Sequence, residues 1–558
     1  MKFKKICFFL LLSIVIGIGA GCKKFVDVTN PDTLTDPSFW KDENSVRSYN
    51  WEFYNMFNGF GNGTSTSGDF YFSAFSDDQC ASTFTQFPLT TAASNGNWSF
   101  GYIRKANIML ERIDQVSMSD EAKNHWKGIA HFFRAYQYFQ LVQTFGGVPW
   151  LSNSLDISDT TQIYKPRDSR ELVMDSVLND LNFAVANLRA ADLPNTVDKD
   201  VALALTARVC LFEGTYRKYH TELNLPDADK FLQQAKDAAS TIIAESYTLN
   251  PNYLAAYNSD NLGNDASEIL LYKRYEPGLL MHSTIAYLYS STVLNGLTKS
   301  AVESYLCSDG KPITLSPLYM GDDGISEVVA NRDKRLLYTI DSTYLYYKGH
   351  VKNSLTSSTG YRPMKFLPDS NKLKSIPTQI NTNYTDAPLF WLSEVYLNYA
   401  EAAAELDQMG KYTMTQADLD NTINKLRARG NVAPMILTGS QDPGYTDPAK
   451  DADVTSLIWE IRRERRTELM MDGFRFQDLM RWKKGVYMDS NVNPDSFLGA
   501  KVPDNGQVRR NTDGYIMPYT AAQQRAFVDP KNYLSAVPTT QIFLYPSTIQ
   551  ATMQNPGW

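Results

Sequence analysis

The chain has 558 residues, with 54 Lys and Arg against 61 Asp and Glu, for a formal net charge of −7. That acidic balance excludes a nucleic-acid partner held by a basic face. The length permits a large buried core, and composition shows no break that would cut the chain cleanly into domains.

At the N-terminus, Lys2, Lys4 and Lys5 precede an uncharged run from Ile6 to Ala20, followed by Gly21 and Cys22. This is the layout of a secretory signal peptide, and the apolar run falls short of the roughly 20 residues that span a bilayer. Gly19, Ala20 and Gly21 before Cys22 resemble a bacterial lipobox, although Gly19 departs from the usual branched residue. The expectation is a Cys22 acylated before cleavage, each buried methylene contributing about 0.8 kcal/mol of membrane affinity. An ordinary signal with an incidental Cys would instead release a soluble product. Removal of residues 1–21 leaves 537 residues and takes the net charge from −7 to −10, because three lysines leave with the signal. Cys80, Cys210 and Cys307 are then too few and too scattered for a disulfide framework or a zinc site. Cys210 reads as a buried hydrophobe, and a Cys80–Cys307 bridge remains open.

Helical periodicity follows in chain order. Residues 98–114 put Tyr102, Ala106, Met109 and Ile113 on one face. Residues 121–145 are apolar on most sides, as a buried helix requires, and Gly146, Gly147 and Pro149 stop them. Residues 168–189 and 200–220 form an antiparallel pair in which Ala204, Ala207 and Gly214 allow close contact. Residues 388–408 pair with 415–430, and 454–484 read as one long helix. The pairs resemble tetratricopeptide hairpins of irregular period, so the expected fold is mainly α, with stacked hairpins burying a continuous core. Residues 58–97, 255–385 and 485–558 are rich in Gly, Ser, Thr, Asn, Asp and Pro, with Tyr and Phe among them. They read as long loops with short strands, and loops of that length are usually functional.

Several phrases in one order carry a family resemblance: FVDVTNPDTLTDPSFW, WKGIAHFFRAYQYFQLVQTFGGVPW, VALALTARVCLFEG, GYRPMKF, PLFWLSEVYLNYAEAAAEL, NKLRARG, ERRTELMMDGFRFQDLMRWKKG and QNPGW. The sequence resembles the SusD/RagB family. Trp391 stands where that family often has an Arg, so packing is expected there in place of an internal ion pair; the final segment is also shorter than usual. The resemblance implies about four tetratricopeptide-like units carrying a loop-rich ligand face. It divides the chain into the signal (1–21), an N-terminal region (22–230) and a C-terminal region (231–558) that form one unit. It also implies a surface-exposed, lipid-anchored outer-membrane protein that binds polysaccharides or oligosaccharides and sits on a SusC-like TonB-dependent transporter, with no cofactor, no metal and no catalytic residues.

The residues themselves point the same way. Glu464 and Glu468 lie among arginines at helical spacings that let them pair, and read as scaffold salt bridges. Arg134 and Glu401 sit in apolar helices, where a buried charge must be paired. His125, His131, His220, His282 and His350 never approach the spacing of a zinc protease helix, and neither a G-x-S-x-G elbow nor a P-loop appears. Sugar binding needs flat apolar faces for the C–H side of a pyranose and nearby polar groups for its hydroxyls. Candidates are Phe84 and Phe87, Tyr287 and Tyr289, and Tyr344, Tyr346 and Tyr347, with Asp77, Asp78 and Gln79 for hydroxyls. For each ring alone, local loop packing is the competing role. Trp98, Trp126, Trp482 and Trp558 read as structural. Two other functions stay open, a surface glycoside hydrolase, whose paired carboxylates only the fold could bring together, and a peptide receptor built on the same hairpins.

Overall fold

The structure is a computed structural model that describes residues 39–156, 158–291, 294–368 and 378–558; the signal segment and Cys22 lie outside the described residues. Its principal helices are α1 (Glu43–Asn50), α2 (Gly101–Arg112), α3 (Asp120–Phe145), α4 (Arg170–Asn187), α5 (Lys199–Tyr219), α6 (Ala228–Ile243), α7 (Thr284–Leu288), α8 (Leu392–Gln408), α9 (Ile423–Arg429), α10 (Ser456–Glu468) and α11 (Arg475–Arg481). Four short strands are β1 (Gln79–Ala81), β2 (Ile269–Lys273), β3 (Asn295–Leu297) and β4 (Ala387–Trp391). The fold is mainly helical.

Side-chain caps set several helix starts. Ser119, Ser169, Asp198 and Thr455 each accept from a backbone N–H three residues on, satisfying donors that the first turn leaves unpaired. Gly146, at φ +76°, ends α3, a conformation that costs glycine little. α3 packs on α2 and α4, α5 on α4 and α6, and α8 on α5, α6 and α10. A Cβ added to Gly214 of α5 would lie 2.7 Å from Leu232 Cγ on α6, so the small residue sets how closely these helices cross. Helix α6, which the sequence reading passed over, buries Phe231, Leu232, Ala235, Ala239 and Ile242 against its neighbours.

The structure corrects three helical expectations, the first being the start of the helix read over 388–408: residues 388–391 belong to β4, and α8 begins at Leu392. The residues read as one helix over 454–484 form two, α10 and α11. Between them Met471 and Gly473 take φ of +65° and +87°, and the ideal Cβ position at Gly473 lies 1.9 Å from the Asp69 carbonyl oxygen. The chain turns there to pack on the 69–73 segment. The partner of α8 is likewise split into Gln416–Asp420 and α9. Trp391 closes β4, which pairs antiparallel with β2; its ring is 1% exposed and contacts Phe70, Tyr257 and Phe474, so apolar packing does occupy that position.

Buried ion pairs lock the helices together. Arg134 donates to both oxygens of Asp180 at 2.7 Å, and Arg481 donates to both oxygens of Glu401 at 2.6 and 2.7 Å. Glu464 lies 2.6 Å from Arg335 and accepts from Arg427 Nε at 3.2 Å. Glu468 accepts from Arg335 at 2.8 Å and from Arg429. These carboxylates are buried and paired with guanidinium groups, as buried charge demands.

Candidate functional site

Three segments distant in sequence meet on one loop face. β1 pairs antiparallel with β3, Cys80 opposite Gly296, and residues 357–361 lie against the back of β3. A Cβ on Gly296 would stand 2.3 Å from Thr359 Oγ1, Leu297 donates its N–H to the Tyr361 carbonyl at 3.1 Å, and Tyr346 donates to the Gly360 carbonyl at 2.9 Å. Ser358 Oγ donates to the Cys80 carbonyl at 2.5 Å. The strand pair thus fixes where the tyrosines of residues 344–347 stand relative to α7.

Arg362 sits at the junction. It is 3% exposed, donates to the Leu288 carbonyl, and places its guanidinium carbon 5.9 Å from the Tyr289 ring centroid and 5.5 Å from that of Tyr346. Such approaches are favourable and gain strength when desolvated. Burial draws the Arg362 pKa below its ordinary value. Tyr346 donates its hydroxyl to Asp341 at 2.6 Å. Burial alone would raise the Asp341 pKa, but the hydrogen bonds from Tyr346 and Thr343 outweigh it and hold the carboxyl below its ordinary value. Tyr344 meets Tyr346 edge-on at 5.0 Å and stacks on His350 at 4.4 Å, and Tyr347 stacks on His350 at 4.6 Å. On the other flank, Phe72 meets Tyr287 edge-on at 5.7 Å.

The rings divide by exposure. Tyr289 is 37% exposed, Tyr287, Tyr344 and Phe72 are half-buried, and Tyr346 and Tyr347 are buried. Tyr346 is therefore a support for the face and not part of it. Beyond Asp341 opens a groove of about 810 Å³ lined by Asn250, Asn252, Asp265, Tyr338 and Thr343 among others. The arrangement offers ring faces beside hydroxyl and amide groups, the chemistry a sugar uses.

The other sequence candidates lie elsewhere. Asp78, expected at the ligand face, is 2% exposed and accepts from Arg466 Nε at 2.7 Å; burial, and then the neighbouring Asp77 charge, raise its pKa. Asp77 is taken by Arg475 Nε and Nη2, both at 2.8 Å. Burial would raise its pKa too, but Arg475 and Arg466 bring it to about 2. Gln79 is also buried. Asp77 and Asp78 bind the loop face to α10 and α11. Phe87 is 5% exposed and packs with Phe75 and Phe527 at 4.9 and 5.3 Å in a separate cluster. Phe84 is half-buried against Tyr519 and Phe497 beside Cys80. Cys80, Cys210 and Cys307 are free thiols, so no Cys80–Cys307 bridge forms. Sequence reasoning missed Phe72 and Arg362. The GYRPMKF phrase contains Arg362, but nothing in its spacing announces a bridge between two loops.

Two family models cover most of the chain: the SusD family model matches residues 282–558, and the model described as starch-binding associating with outer membrane matches residues 29–211. The chain belongs to the SusD/RagB family. The SusD-like protein P38 of Formosa agariphila is 24% identical over 526 residues, covering 88% of this SusD-family chain and 94% of that protein. A SusD-like carbohydrate-binding protein from Bacteroides fragilis superposes with a TM-score of 0.70 at 22% identity, over 91% of this chain and 99% of its own. A laminarin-binding SusD-like protein superposes with a TM-score of 0.55 at 19% identity, over 93% and 100% of the two chains. At these identities the solved structures bear on the fold alone.

Proposed function

We propose that this SusD-family protein captures glycans at the outer-membrane surface, on the face formed by Phe72, Tyr287, Tyr289 and Tyr344, and passes them uncleaved to a SusC-like TonB-dependent transporter. Acylated Cys22 tethers it, and the regions 22–230 and 231–558 work as one unit. The observation that carries the reading is the Arg362 junction: a buried guanidinium between Tyr289 and Tyr346 ties the Tyr289 segment to the 344–347 loop, with Tyr289 open to solvent and Tyr346 behind it. Support comes from the family description, which names starch binding and the outer membrane, and from the laminarin-binding protein of the same fold. A binder rather than a hydrolase is favoured because Glu464 and Glu468 are buried in guanidinium pairs, which leaves neither free to act as acid or base. Asp78 and Phe87 serve the interior in this reading, and Phe84 flanks the strand pair.

The test combines affinity electrophoresis over a panel of polysaccharides with reducing-end analysis of the same mixtures. Retarded migration without new reducing ends, lost in Tyr289→Ala, is the expected result. Release of reducing ends, or saturable peptide binding with no response to any glycan, overturns the proposal. Affinity capture of the native protein from membranes should also recover a TonB-dependent barrel.

A further inference from the structure

A second cavity, of about 400 Å³, lies between α10, α11, the 447–451 loop and residues 312–314, and shares no residue with the Tyr289 face. Its volume falls in the range of small-ligand sites. Trp459 is half-buried on one wall, with Tyr487 and Ile313 as further apolar surface. Arg462, Arg466 and Arg475 also line it.

Formal charge in the cavity is balanced, but hydrogen-bonding capacity is not. The carboxylates already have cationic partners. Asp77 accepts from Arg475 and Arg466, Asp447 from Arg463, and Glu303 and Asp495 from Lys299. Asp451 accepts from Tyr487 and lies 3.3 Å from Lys484 Nζ. Donors remain. Arg462 is 5% exposed, its guanidinium 4.5 Å from the Trp482 ring centroid, and it adds positive charge to the wall. Arg466 and Arg475 each engage their partners through Nε and Nη2, leaving Nη1 free. Guanidinium groups answer best to anionic oxygens.

We infer that this cavity is a second binding site, separate from the Tyr289 face, which takes an acidic saccharide unit: a sugar ring against Trp459 with its carboxylate or sulfate ester turned to the arginines. The inference does not depend on what the Tyr289 face binds.

The mature protein is titrated, by calorimetry and Trp emission, with digalacturonate, with cellobiose as the neutral disaccharide, and with sodium sulfate. Digalacturonate is expected to bind at least about tenfold more tightly than cellobiose or sulfate, the factor expected from one charge-assisted hydrogen bond. Val492 is 61% exposed at the rim, so Val492→Trp fills the mouth without touching an ion pair and should weaken binding by about tenfold or more. Ala449→Trp serves the same end should Val492→Trp fail to fold. Tyr289→Ala should bind digalacturonate like the parent. Equal affinity for cellobiose, sulfate binding as tightly as digalacturonate, parental affinity in a folded rim variant, or no binding of digalacturonate each overturns the inference.

Discussion

Replacement of Glu401 by Gln tests the electrostatic core on which the helical frame depends. The Glu401 carboxylate, 0% exposed, accepts from Arg481 Nη1 and from Trp482 Nε1 on one oxygen, both at 2.6 Å, and from Arg481 Nη2 at 2.7 Å on the other. Burial alone would raise its pKa, but Arg481 more than offsets this and the group falls from 4.5 to about 2. Each pH unit of such a gap corresponds to about 1.4 kcal/mol, so the ionised form contributes about 3 kcal/mol to folding. Breaking one side of a buried pair costs about 3–5 kcal/mol by an independent route. Gln keeps the shape but turns an N–H toward the guanidinium. In urea unfolding followed by circular dichroism, the variant should be about 3 kcal/mol less stable than the parent at pH 7, with an unchanged slope. Because the folded pKa is depressed, the parent keeps this contribution above pH 4.5 and loses it as pH falls toward about 2, so the two proteins should converge on acidification. A difference at pH 7 below about 1 kcal/mol, or one that does not shrink on acidification, would refute the reasoning.

Other outcomes are expected together. Gly473→Ala forces a side chain into a φ of +87° and against the Asp69 carbonyl; a loss of about 3 kcal/mol should appear as a lowered melting temperature in calorimetry. His282 is fully buried, donating from Nε2 to the Thr385 carbonyl at 3.0 Å and accepting from the Thr284 N–H on Nδ1 at 3.2 Å. Burial lowers its pKa from 6.5 to about 3, so the native state stays neutral where the unfolded chain takes up a proton. Stability should therefore fall as pH drops below 6.5, and the fall should be shallower in His282→Asn, read from urea midpoints across pH. At the proposed glycan face, Tyr289→Ala should weaken binding about tenfold or more while Tyr346→Phe, behind it, changes affinity by less than about threefold, measured by calorimetry. Cys22→Ser should move the protein from the membrane to the soluble fraction on ultracentrifugation.

The helical frame was largely legible because its signals are local. The apolar surround of residues 121–145, the Gly146, Gly147 and Pro149 stop behind it and the small residues of α5 each act within a few turns, so pattern along the chain finds them. The single helix expected over 454–484 failed for a reason outside that range: Gly473 adopts its turn because the Asp69 backbone approaches it, and residue 69 is far away in sequence. The burial of individual rings has the same long-range origin. Tyr344, Tyr346 and Tyr347 share one polar loop and one composition, yet Tyr346 faces inward because its N–H bonds to Gly360 and its hydroxyl to Asp341, while Tyr289 stays open beside the same arginine. Asp77 and Asp78 looked like hydroxyl acceptors for the same want of long-range information, since Arg466 and Arg475, which claim them, follow almost at the end of the helical frame. Rings in polar loops announce an aromatic face; which of them form it is decided by the strand pair β1–β3 and the segment packed behind it, a contact that no spacing along the chain encodes.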